Sequence, residues 1–420
     1  MNFNIITLGC KVNIYETEMI KESFFNHGYK ISDENPGVII INTCSITNIA
    51  DIKSKKIIRR MKREHPESIL IVVGCTAQNH QESLNNLDID ILIGTKDKSK
   101  LIDILNEYKK SKKKYVKFYD ISKSEFEDMS VSKFTNHTRC FIKIQDGCNN
   151  FCSYCIIPYL RGRNRFKDFN KVLEEAKGLV RSGHKEIVLI GIHTGSYPHL
   201  VKLIDEMSKI EKLERIRISS IEITEIDEKF LNMLKNNPKV CNHLHIPLQS
   251  GSDKILKLMN RKYDKKYFEN VINKLRSIKP DISITTDVIV GFPSESENDF
   301  NECVEFCKKL NFSKIHVFPY SIRSGTIAAN IKEQLESKIK KERSRVLSKI
   351  SDELEEKYYK KFINSEVDIL TEEIDGKVSI GHTSNYLKVV VNEILDHNEI
   401  YKVKIIDIRR TKAIGKKINN

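Results

Sequence analysis

Three cysteines lie close together in the middle of this 420-residue chain. Cys148, Cys152 and Cys155 form a C-x₃-C-x₂-C motif within CNNFCSYC, directly after a predicted strand. Three thiolates can hold three irons of a cubane iron–sulfur cluster and leave the fourth iron open, whereas an electron carrier uses four cysteines. The open iron would be a site for a chelating cofactor.

Two other uses of thiols fit part of the motif. Cys152 and Cys155 would form half of a structural zinc site, but a zinc ribbon needs a second half, and the next cysteine, Cys241, stands alone 86 residues downstream. A redox C-x-x-C pair would leave Cys148 without a role. The motif therefore favours a cluster.

A second cysteine triplet is spread over the first hundred residues. Cys10, Cys44 and Cys75 each come just after the carboxyl end of a predicted strand. Ligands of open parallel sheets bind at that edge, so we expect these thiols to converge. Buried cysteines that act as small hydrophobic side chains would give the same pattern. Spacing alone leaves both interpretations open.

The elements that must position these cysteines fall into three predicted domains. Residues 1–120 alternate apolar runs and helical patterns, which predicts a doubly wound α/β domain with strands at 3–8, 38–41, 69–74 and 91–94. After a polar linker within 119–138, residues 135–362 predict a partial (β/α)₆ barrel, closed by a long amphipathic helix whose apolar positions run from 331 to 358. Its strands are predicted at 141–145, 186–192, 215–219, 243–247, 283–290 and 314–319.

The last segment, residues 363–420, changes period again. Alternating runs at 367–370, 377–381, 387–391 and 401–408 predict a small β-barrel.

Composition limits the class of protein. The chain has 71 Lys and Arg against 57 Asp and Glu, a net charge of +14, with 40% hydrophobic residues, which excludes a disordered chain or a small disulfide scaffold. The first residues show no secretory signal pattern, and no apolar run reaches the roughly 18 residues of a membrane span. We therefore expect a cytoplasmic protein without a membrane segment, whose ten cysteines stay reduced.

Basic residues cluster in three runs. Lys53–Arg63 holds seven without an acid, Lys109–Lys117 holds six, and residues 401–420 hold seven against Asp407. Such runs predict a phosphate-binding surface, although many are solvated helix faces. The last run is better evidence for RNA because it falls on the predicted β-barrel.

The residues around both triplets resemble a known family. TLGCKVNIYETE, INTCSITNIAD, VVGCTAQ and CNNFCSYCIIPYLRGR are similar to the methylthiotransferases, a family of radical S-adenosylmethionine enzymes. Three further segments resemble signatures of this family: HIPLQSGSDKILKLMNRKY, TTDVIVGFPSESE and HVFPYSIRSGTIA. The segment GHTSNY resembles part of the RNA-binding TRAM domain. The resemblance implies two [4Fe-4S] clusters, an auxiliary one on Cys10, Cys44 and Cys75, and one on Cys148, Cys152 and Cys155 whose open iron binds S-adenosylmethionine.

The resemblance also implies an activity, transfer of a methylthio group to an unactivated carbon, with S-adenosylmethionine as methyl and radical source. GCKVNIYETE looks like the branch that modifies threonylcarbamoyladenosine beside the tRNA anticodon, although Ile14 replaces a common Gln and Ser294 a common Gly. The isopentenyladenosine branch is the alternative, and the aspartate-modifying branch fits GCKVN poorly. An alternative of another class is a non-catalytic iron–sulfur RNA-binding redox sensor. The enzyme would need a sulfur donor and an electron donor such as a flavodoxin or ferredoxin.

Four further residues are predicted to bind S-adenosylmethionine because they follow barrel strands or the cysteine loop: Gln249, Ser250, Glu222 and Arg161. Solvated loop residues would give the same placement. His193 in GIHTGSY is interpreted as structural rather than as a base. The remaining cysteines match no ligand motif, and Cys303 and Cys307 are expected in the core.

Overall fold

The computed structural model describes residues 1–135 and 137–418. The N-terminal unit is a parallel six-stranded sheet in the order β2-β1-β3-β4-β5-β6, with helices packed on it. Its central strand Val38–Thr43 is buried throughout, as expected for a strand covered on both faces. The strands are β1 (Asn2–Thr7), β2 (Lys30–Ile31), β3 (Val38–Thr43), β4 (Ile69–Gly74), β5 (Ile91–Ile93) and β6 (Tyr115–Lys117), and the helices are α1 (Lys11–Asn26), α2 (Asn48–Glu64), α3 (Cys75–Asn79), α4 (Gln81–Asn85) and α5 (Leu101–Ser111). The predicted α/β class is confirmed, and the two edge strands β2 and β6 were missed because they are short and largely exposed.

The central unit has six parallel strands in two hydrogen-bonded groups, together with a separate pair of short antiparallel strands. A parallel bridge between Ile216 and Val240 connects the two groups. The strands are β7 (Cys140–Lys143), β8 (Gln145–Asp146), β9 (Arg165–Phe166), β10 (Glu186–Ile190), β11 (Arg215–Ile218), β12 (His243–His245), β13 (Ser283–Val290) and β14 (Lys314–Pro319). The groups are ordered β11-β10-β7 and β12-β13-β14, while β8 and β9 form a short antiparallel pair. This is the predicted partial (β/α)₆ barrel.

Helices cover the outside of this barrel. They are α7 (Phe169–Arg181), α8 (Leu200–Ser208), α9 (Glu228–Asn236), α10 (Asp253–Leu258), α11 (Lys265–Ile278), α12 (Glu297–Leu310) and α13 (Ser337–Lys360), whereas the short helix α6 (Ile157–Arg161) packs against α3 of the N-terminal unit. The closing helix α13 begins later than the apolar period predicted, because Ile331 packs beside Phe292 and Tyr320 in a separate apolar cluster instead of joining the helix.

The C-terminal unit is a closed five-stranded barrel in the order β15-β16-β17-β19-β18. Its strands are β15 (Glu366–Asp375), β16 (Val378–Thr383), β17 (Lys388–Val391), β18 (Ile400–Arg409) and β19 (Lys412–Lys417). The small barrel is confirmed, and β19 is the strand that the sequence pattern missed. It faces inward through Ala413 and Gly415, which are too small to produce an apolar alternation, and a Cβ at position 415 would lie 2.9 Å from Val389.

The first two units share one apolar core, whereas the small barrel has its own. The shared core runs from Phe3 in β1 into the central barrel, and the polar-looking linker joins it through Met129, Val131 and Phe134. Tyr15 of α1 fastens that linker by donating a hydrogen bond to the carbonyl of Met129 at 2.9 Å. The N-terminal sheet is therefore fixed against the barrel.

Candidate active site

The N-terminal cysteines converge because three neighbouring parallel strands end at the same edge. Cys10 caps α1 after β1, Cys44 follows β3, and Cys75 begins α3 directly after β4. Gly9 has φ +102°, and a Cβ there would lie 2.4 Å from the Cys44 sulfur, so this close approach requires glycine. Burial raises the pKa of the Cys44 thiol to about 12. The structure brings the three cysteines together at this edge of the sheet, as the sequence predicts.

The second triplet occupies the loop between β8 and α6. The amide of Asn150 donates to the Cys148 sulfur at 3.4 Å, and Nη1 of Arg261 donates to the Cys152 sulfur at 3.3 Å. Cys155 closes a turn by donating its amide to the carbonyl of Cys152 at 3.0 Å. The segment after α10 also holds the loop: the Ser153 amide donates to the carbonyl of Met259 at 3.1 Å, and Nδ2 of Asn260 donates to the carbonyl of Phe151 at 3.0 Å. The thiols are thus presented by a braced loop.

All six cysteines line one cavity of about 860 Å³. It lies at the carboxyl ends of the barrel strands and is covered by the N-terminal unit, and each of the six thiols is free of disulfide bonds. The two triplets therefore face a common space, as one substrate pocket between two reactive groups would require.

The spacing of the thiols bears on what they can hold. Within residues 1–135 and 137–418, the metal-binding side chains whose ligand atoms all lie within 4.8 Å of one another are His245, Asp287 and His316. A single zinc ion with sulfur ligands at about 2.3 Å would bring its thiols within about 4 Å. In neither cysteine triplet are the three sulfur atoms all within 4.8 Å of one another. This wider spacing and the all-sulfur donor set of each triplet fit a multi-iron cluster.

The predicted S-adenosylmethionine residues have different surroundings. Gln249, Glu222 and Arg161 line the cavity, whereas Ser250 is buried beneath it and accepts a hydrogen bond from the amide of Ser252 at 3.2 Å. Glu222 pairs with Arg261, whose guanidinium also contacts Cys152. The structure brings Gln249, Glu222 and Arg161 to the cysteines and leaves Ser250 outside the wall. Their role toward the cofactor stays a prediction.

Arg161 belongs to a buried ion cluster between the first two units. Its Nη1 lies 3.0 Å from Oε1 of Glu16 on α1 and 3.1 Å from Oδ1 of Asp146 on β8. Lys98 and Lys143 complete the cluster around Glu16. Burial opposes ionisation of Glu16, but Arg161, Lys98 and Lys143 outweigh it and hold the pKa of this carboxyl below its ordinary value. The cluster keeps α1, and with it Cys10, at a fixed distance from the barrel.

The small barrel contributes to the same cavity. Tyr386, in the turn between β16 and β17, lines the cavity wall and stacks on His243 with ring centroids 4.8 Å apart. The guanidinium carbons of Arg217 and Arg139 lie 4.6 Å and 5.1 Å from the Tyr386 ring. Burial opposes ionisation of Tyr386, yet Arg139, Lys11 and Arg217 lower the pKa of its phenol. All three units therefore meet at the cavity.

His193 lies behind the second triplet rather than in the cavity wall. Its Nε2 is 2.5 Å from Oε1 of Glu225, and Cys148 is its other polar neighbour. Burial opposes protonation, but the nearby Cys148 and Glu225 raise the pKa of His193 to about 10. The structural role of His193 stays a prediction.

Comparison with known proteins adds the family. A model described as the Radical SAM superfamily matches residues 142–307, and one described as Uncharacterized protein family UPF0004 matches residues 2–94. The chain is 42% identical over 417 residues to the threonylcarbamoyladenosine tRNA methylthiotransferase MtaB of Bacillus subtilis (strain 168), which covers 95% of this chain and 92% of that protein. It is 35% identical to the tRNA-2-methylthio-N(6)-dimethylallyladenosine synthase of Clostridium tetani (strain Massachusetts / E88), with 98% and 94% coverage.

The chain belongs to the methylthiotransferase family of radical S-adenosylmethionine enzymes. Among solved structures, this methylthiotransferase is similar in fold to the radical S-adenosylmethionine methyltransferase TsrM from Kitasatospora setae, with a TM-score of 0.57 at 12% identity over 78% of this chain and 76% of that chain. The resemblance read from the cysteine contexts is confirmed, and so is the enzyme class. A [4Fe-4S] cluster and S-adenosylmethionine belong to that class.

Sequence reasoning missed much of the wall of the methylthiotransferase cavity. His245 is the last residue of β12, Asp287 and His316 lie within β13 and β14, and Arg261 comes from the segment after α10. The three strand residues carry a signal, since polar side chains on the strands of a barrel often share a site. Tyr386 gave no such signal because it comes from a different domain.

None of the helices in the described part of the methylthiotransferase chain combines the length and apolarity that crossing a bilayer requires. Its first basic run lies on α2, where Lys53, Lys56 and Arg59 are exposed. The last run lies on β18 and β19 of the small barrel. Both runs present cations to solvent.

Proposed function

We propose that this methylthiotransferase converts threonylcarbamoyladenosine beside the anticodon of tRNA into its 2-methylthio derivative. The observation that carries the proposal is the 42% identity over nearly the whole chain to a protein named for this reaction. A second relative of the same name, from Aquifex aeolicus (strain VF5), is 38% identical over 91% of the chain. The shared cavity of the two cysteine triplets gives the reaction a place.

We further propose which residues hold the cofactors. Cys10, Cys44 and Cys75 would hold an auxiliary [4Fe-4S] cluster, and Cys148, Cys152 and Cys155 a second one. When bound, the second cluster and S-adenosylmethionine supply a radical that removes the target hydrogen, and the auxiliary cluster supplies or carries the sulfur. Each triplet offers three thiols, and the other four cysteines of the described residues, Cys140, Cys241, Cys303 and Cys307, lie outside the cavity wall, which supports this assignment.

The chain's own residues hold the reacting groups in place. The ion cluster of Glu16 and Arg161 fixes α1 against the barrel, and Arg261 braces the second cysteine loop through Cys152 and Glu222. Gln249 faces the cavity after β12 and is proposed, with Glu222, to orient S-adenosylmethionine. The lid formed by the N-terminal sheet would limit access of water to the radical.

The substrate implies partners and a division of labour among domains. We propose residues 1–120 as the auxiliary-cluster domain, 135–362 as the radical barrel and 363–420 as the TRAM barrel that grips tRNA. An anticodon loop offers unstacked bases, which enter protein pockets more readily than paired ones. A flavodoxin or ferredoxin would supply electrons, and a separate sulfur donor would restore the sulfur, in the cytoplasm where tRNA is modified.

Nucleoside mass spectrometry of tRNA from cells with and without this protein tests the proposal. We expect the 2-methylthio form of threonylcarbamoyladenosine to disappear when the protein is absent. Loss of the 2-methylthio form of isopentenyladenosine instead would assign the chain to the substrate named for its Clostridium tetani relative.

A biochemical experiment separates the enzyme from a non-catalytic redox sensor. Anaerobically reconstituted protein with dithionite and S-adenosylmethionine is expected to release deoxyadenosine. A fully iron-loaded protein that releases none would refute the radical reaction.

A further inference from the structure

Among the described residues, one cation of the cavity wall has no ionic partner. The wall carries five Lys and Arg side chains: Lys11, Arg161, Arg217, Arg261 and Lys314. Four of them are paired, with Glu16, Glu186, Glu222 and Glu355 respectively. Within residues 1–135 and 137–418, the Lys11 ammonium makes neither an ion pair nor a hydrogen bond. It is exposed to the cavity.

Lys11 has cationic neighbours. Arg139 and Arg217 line a cleft beside the cavity together with Lys11 and pair with Glu372 and Glu186, and Glu373 is a further carboxylate of that cleft. With Lys11, these are three positive and three negative charges, and Lys11 is the cation among them that makes no ion pair. Lys11 is also the first residue of the 16-residue helix α1, whose first turn has no acidic side chain, so the positive end of the helix dipole adds to the field. An anion bound here would be stabilised.

A hydroxyl group lines the same space as Lys11. Tyr386 is held between Arg217 and Arg139 and lines both the main cavity and the adjoining cleft that Lys11 also lines. Its φ of +72° is an uncommon backbone conformation for a tyrosine. An ammonium and a phenol that face one space are a suitable pair of donors for a carboxylate.

We propose that Lys11 and Tyr386 form a carboxylate subsite that binds the threonyl carboxylate of the modified base. This inference rests on the proposed function, because the threonylcarbamoyl group carries a carboxylate and an isopentenyl group carries none. Lys11 supplies the charge and Tyr386 a hydrogen bond, and together they make the site selective for the acidic substrate. The backbone phosphates of RNA are less suitable occupants, because the subsite lies inside the cavity beside the cysteines, where a base has to enter.

The experiment compares two anticodon stem-loops, one with threonylcarbamoyladenosine and one with its methyl ester. Wild-type protein, Lys11→Met and Tyr386→Phe are reconstituted, and kcat and KM are measured for each RNA, together with equilibrium binding of the RNA in the absence of S-adenosylmethionine. Lys30→Met removes the same charge from an exposed position on β2 and is the matched control. Iron content and deoxyadenosine release report whether the neighbouring Cys10 site is intact.

We expect the wild type to prefer the free carboxylate and Lys11→Met to lose about 10- to 100-fold of that preference, mostly in KM and in binding. Tyr386→Phe should lose a smaller part, and Lys30→Met none. A wild type that binds and modifies both RNAs equally overturns the subsite but leaves the proposed function standing. A wild type that modifies neither RNA overturns the proposed function itself.

Two further outcomes would also overturn the subsite. One is a Lys11→Met protein that keeps the full preference. The other is a Lys11→Met protein whose KM for S-adenosylmethionine changes while its binding of the two RNAs does not. If Lys11→Met loses iron, the binding preference of the wild type and of Tyr386→Phe decides the question.

Discussion

The two cysteine triplets are positioned by different kinds of residue contact. Cys148, Cys152 and Cys155 lie within eight residues of one loop, whereas Cys10, Cys44 and Cys75 come together only where three strands end. Gly9 and Gly74 precede two of the N-terminal cysteines with φ near +100°, where a side chain would collide with Cys44 or with the backbone of Thr43. The N-terminal triplet therefore depends on the fold more than the second one does.

Replacing one N-terminal cysteine should remove one cluster and spare the other. In Cys10→Ala we expect the iron content to fall by about half and methylthiolation to stop, while deoxyadenosine release stays measurable, because each cubane needs its own three thiolates. Iron analysis and product detection give the readout. Cys140→Ala removes a buried thiol outside the cavity and is the control. An unchanged iron content in Cys10→Ala would contradict the ligand assignment.

At the scale of elements, helix α1 connects the N-terminal sheet to the barrel. Its buried carboxylate Glu16 faces Lys98, Lys143 and Arg161, which come from three other parts of the chain. Removing one charge of a buried ion cluster is strongly destabilising, because the opposite charges stay buried without a partner. Replacing the whole cluster with apolar side chains costs much less stability. The docking of α1 is therefore sensitive to this one side chain.

We predict that Glu16→Gln lowers the free energy of unfolding by about 3 to 5 kcal/mol. The neutral amide leaves three buried cations with Asp146 as their remaining counter-charge. Chemical denaturation of the reconstituted protein measures the effect, with the exposed Glu34→Gln as control. A change as small as that of the control would show that water or rearrangement compensates the cations.

Helix α12 offers a prediction with a pH sign. Asp299 accepts hydrogen bonds from the Ser296 amide at 2.9 Å and from Lys254 Nζ at 2.7 Å. Burial opposes its ionisation, but Lys254, Ser296 and Ser252 lower the pKa of Asp299 to about 2. Because this pKa lies below the ordinary 3.8, the stabilisation is complete above that pH and is lost as the pH falls toward 2.

Asp299→Asn should therefore destabilise the protein by about 1 to 2 kcal/mol near neutral pH and progressively less below pH 4. Thermal unfolding of the variant beside the wild type, from pH 7 to pH 2.5, measures the difference. A gap between the two melting temperatures that does not narrow with acid would contradict the role of the carboxylate charge.

For the whole molecule, the arrangement of charge on the small barrel supports the proposed tRNA-binding surface. Lys404 on β18 lies directly opposite Lys416 on β19, and both are exposed. Like charges in facing positions of a sheet destabilise it, so the barrel carries a cost that an RNA backbone would relieve. The cavity lies where this barrel, the radical barrel and the N-terminal sheet meet.

Replacing both lysines with glutamine should affect stability and binding in opposite directions. We expect the free energy of unfolding of the barrel to rise by about 0.2 to 1 kcal/mol. We expect tRNA binding to weaken, and the slope of log K against log salt concentration to become less steep by about one to two. Thermal unfolding and filter binding over a range of salt concentrations give the two measurements. The control replaces Lys229 and Lys235, exposed on α9 outside the basic runs. Unchanged tRNA binding in the barrel variant would place the RNA elsewhere.

What the sequence by itself determined is what short-range pattern encodes. Spacing and apolar period act over a few residues, so the sequence predicts the C-x₃-C-x₂-C loop and the strand that ends before each of Cys10, Cys44 and Cys75. It predicts the barrel strands Ser283–Val290 and Lys314–Pro319 for the same reason. The family resemblance rests on the same short segments. The sequence pattern did not predict strand β19, because its inward positions are occupied by alanine and glycine, which give no apolar alternation.

Only the tertiary structure decided how distant residues meet. Arg161 is paired with Glu16, 145 positions away, and Tyr386 of the small barrel reaches the cavity that Lys11 lines. Ser250 turned inward while its neighbour Gln249 faced the cavity. Compensation of a buried charge and the choice of which side chain enters a cavity depend on packing between elements, and no local period records them.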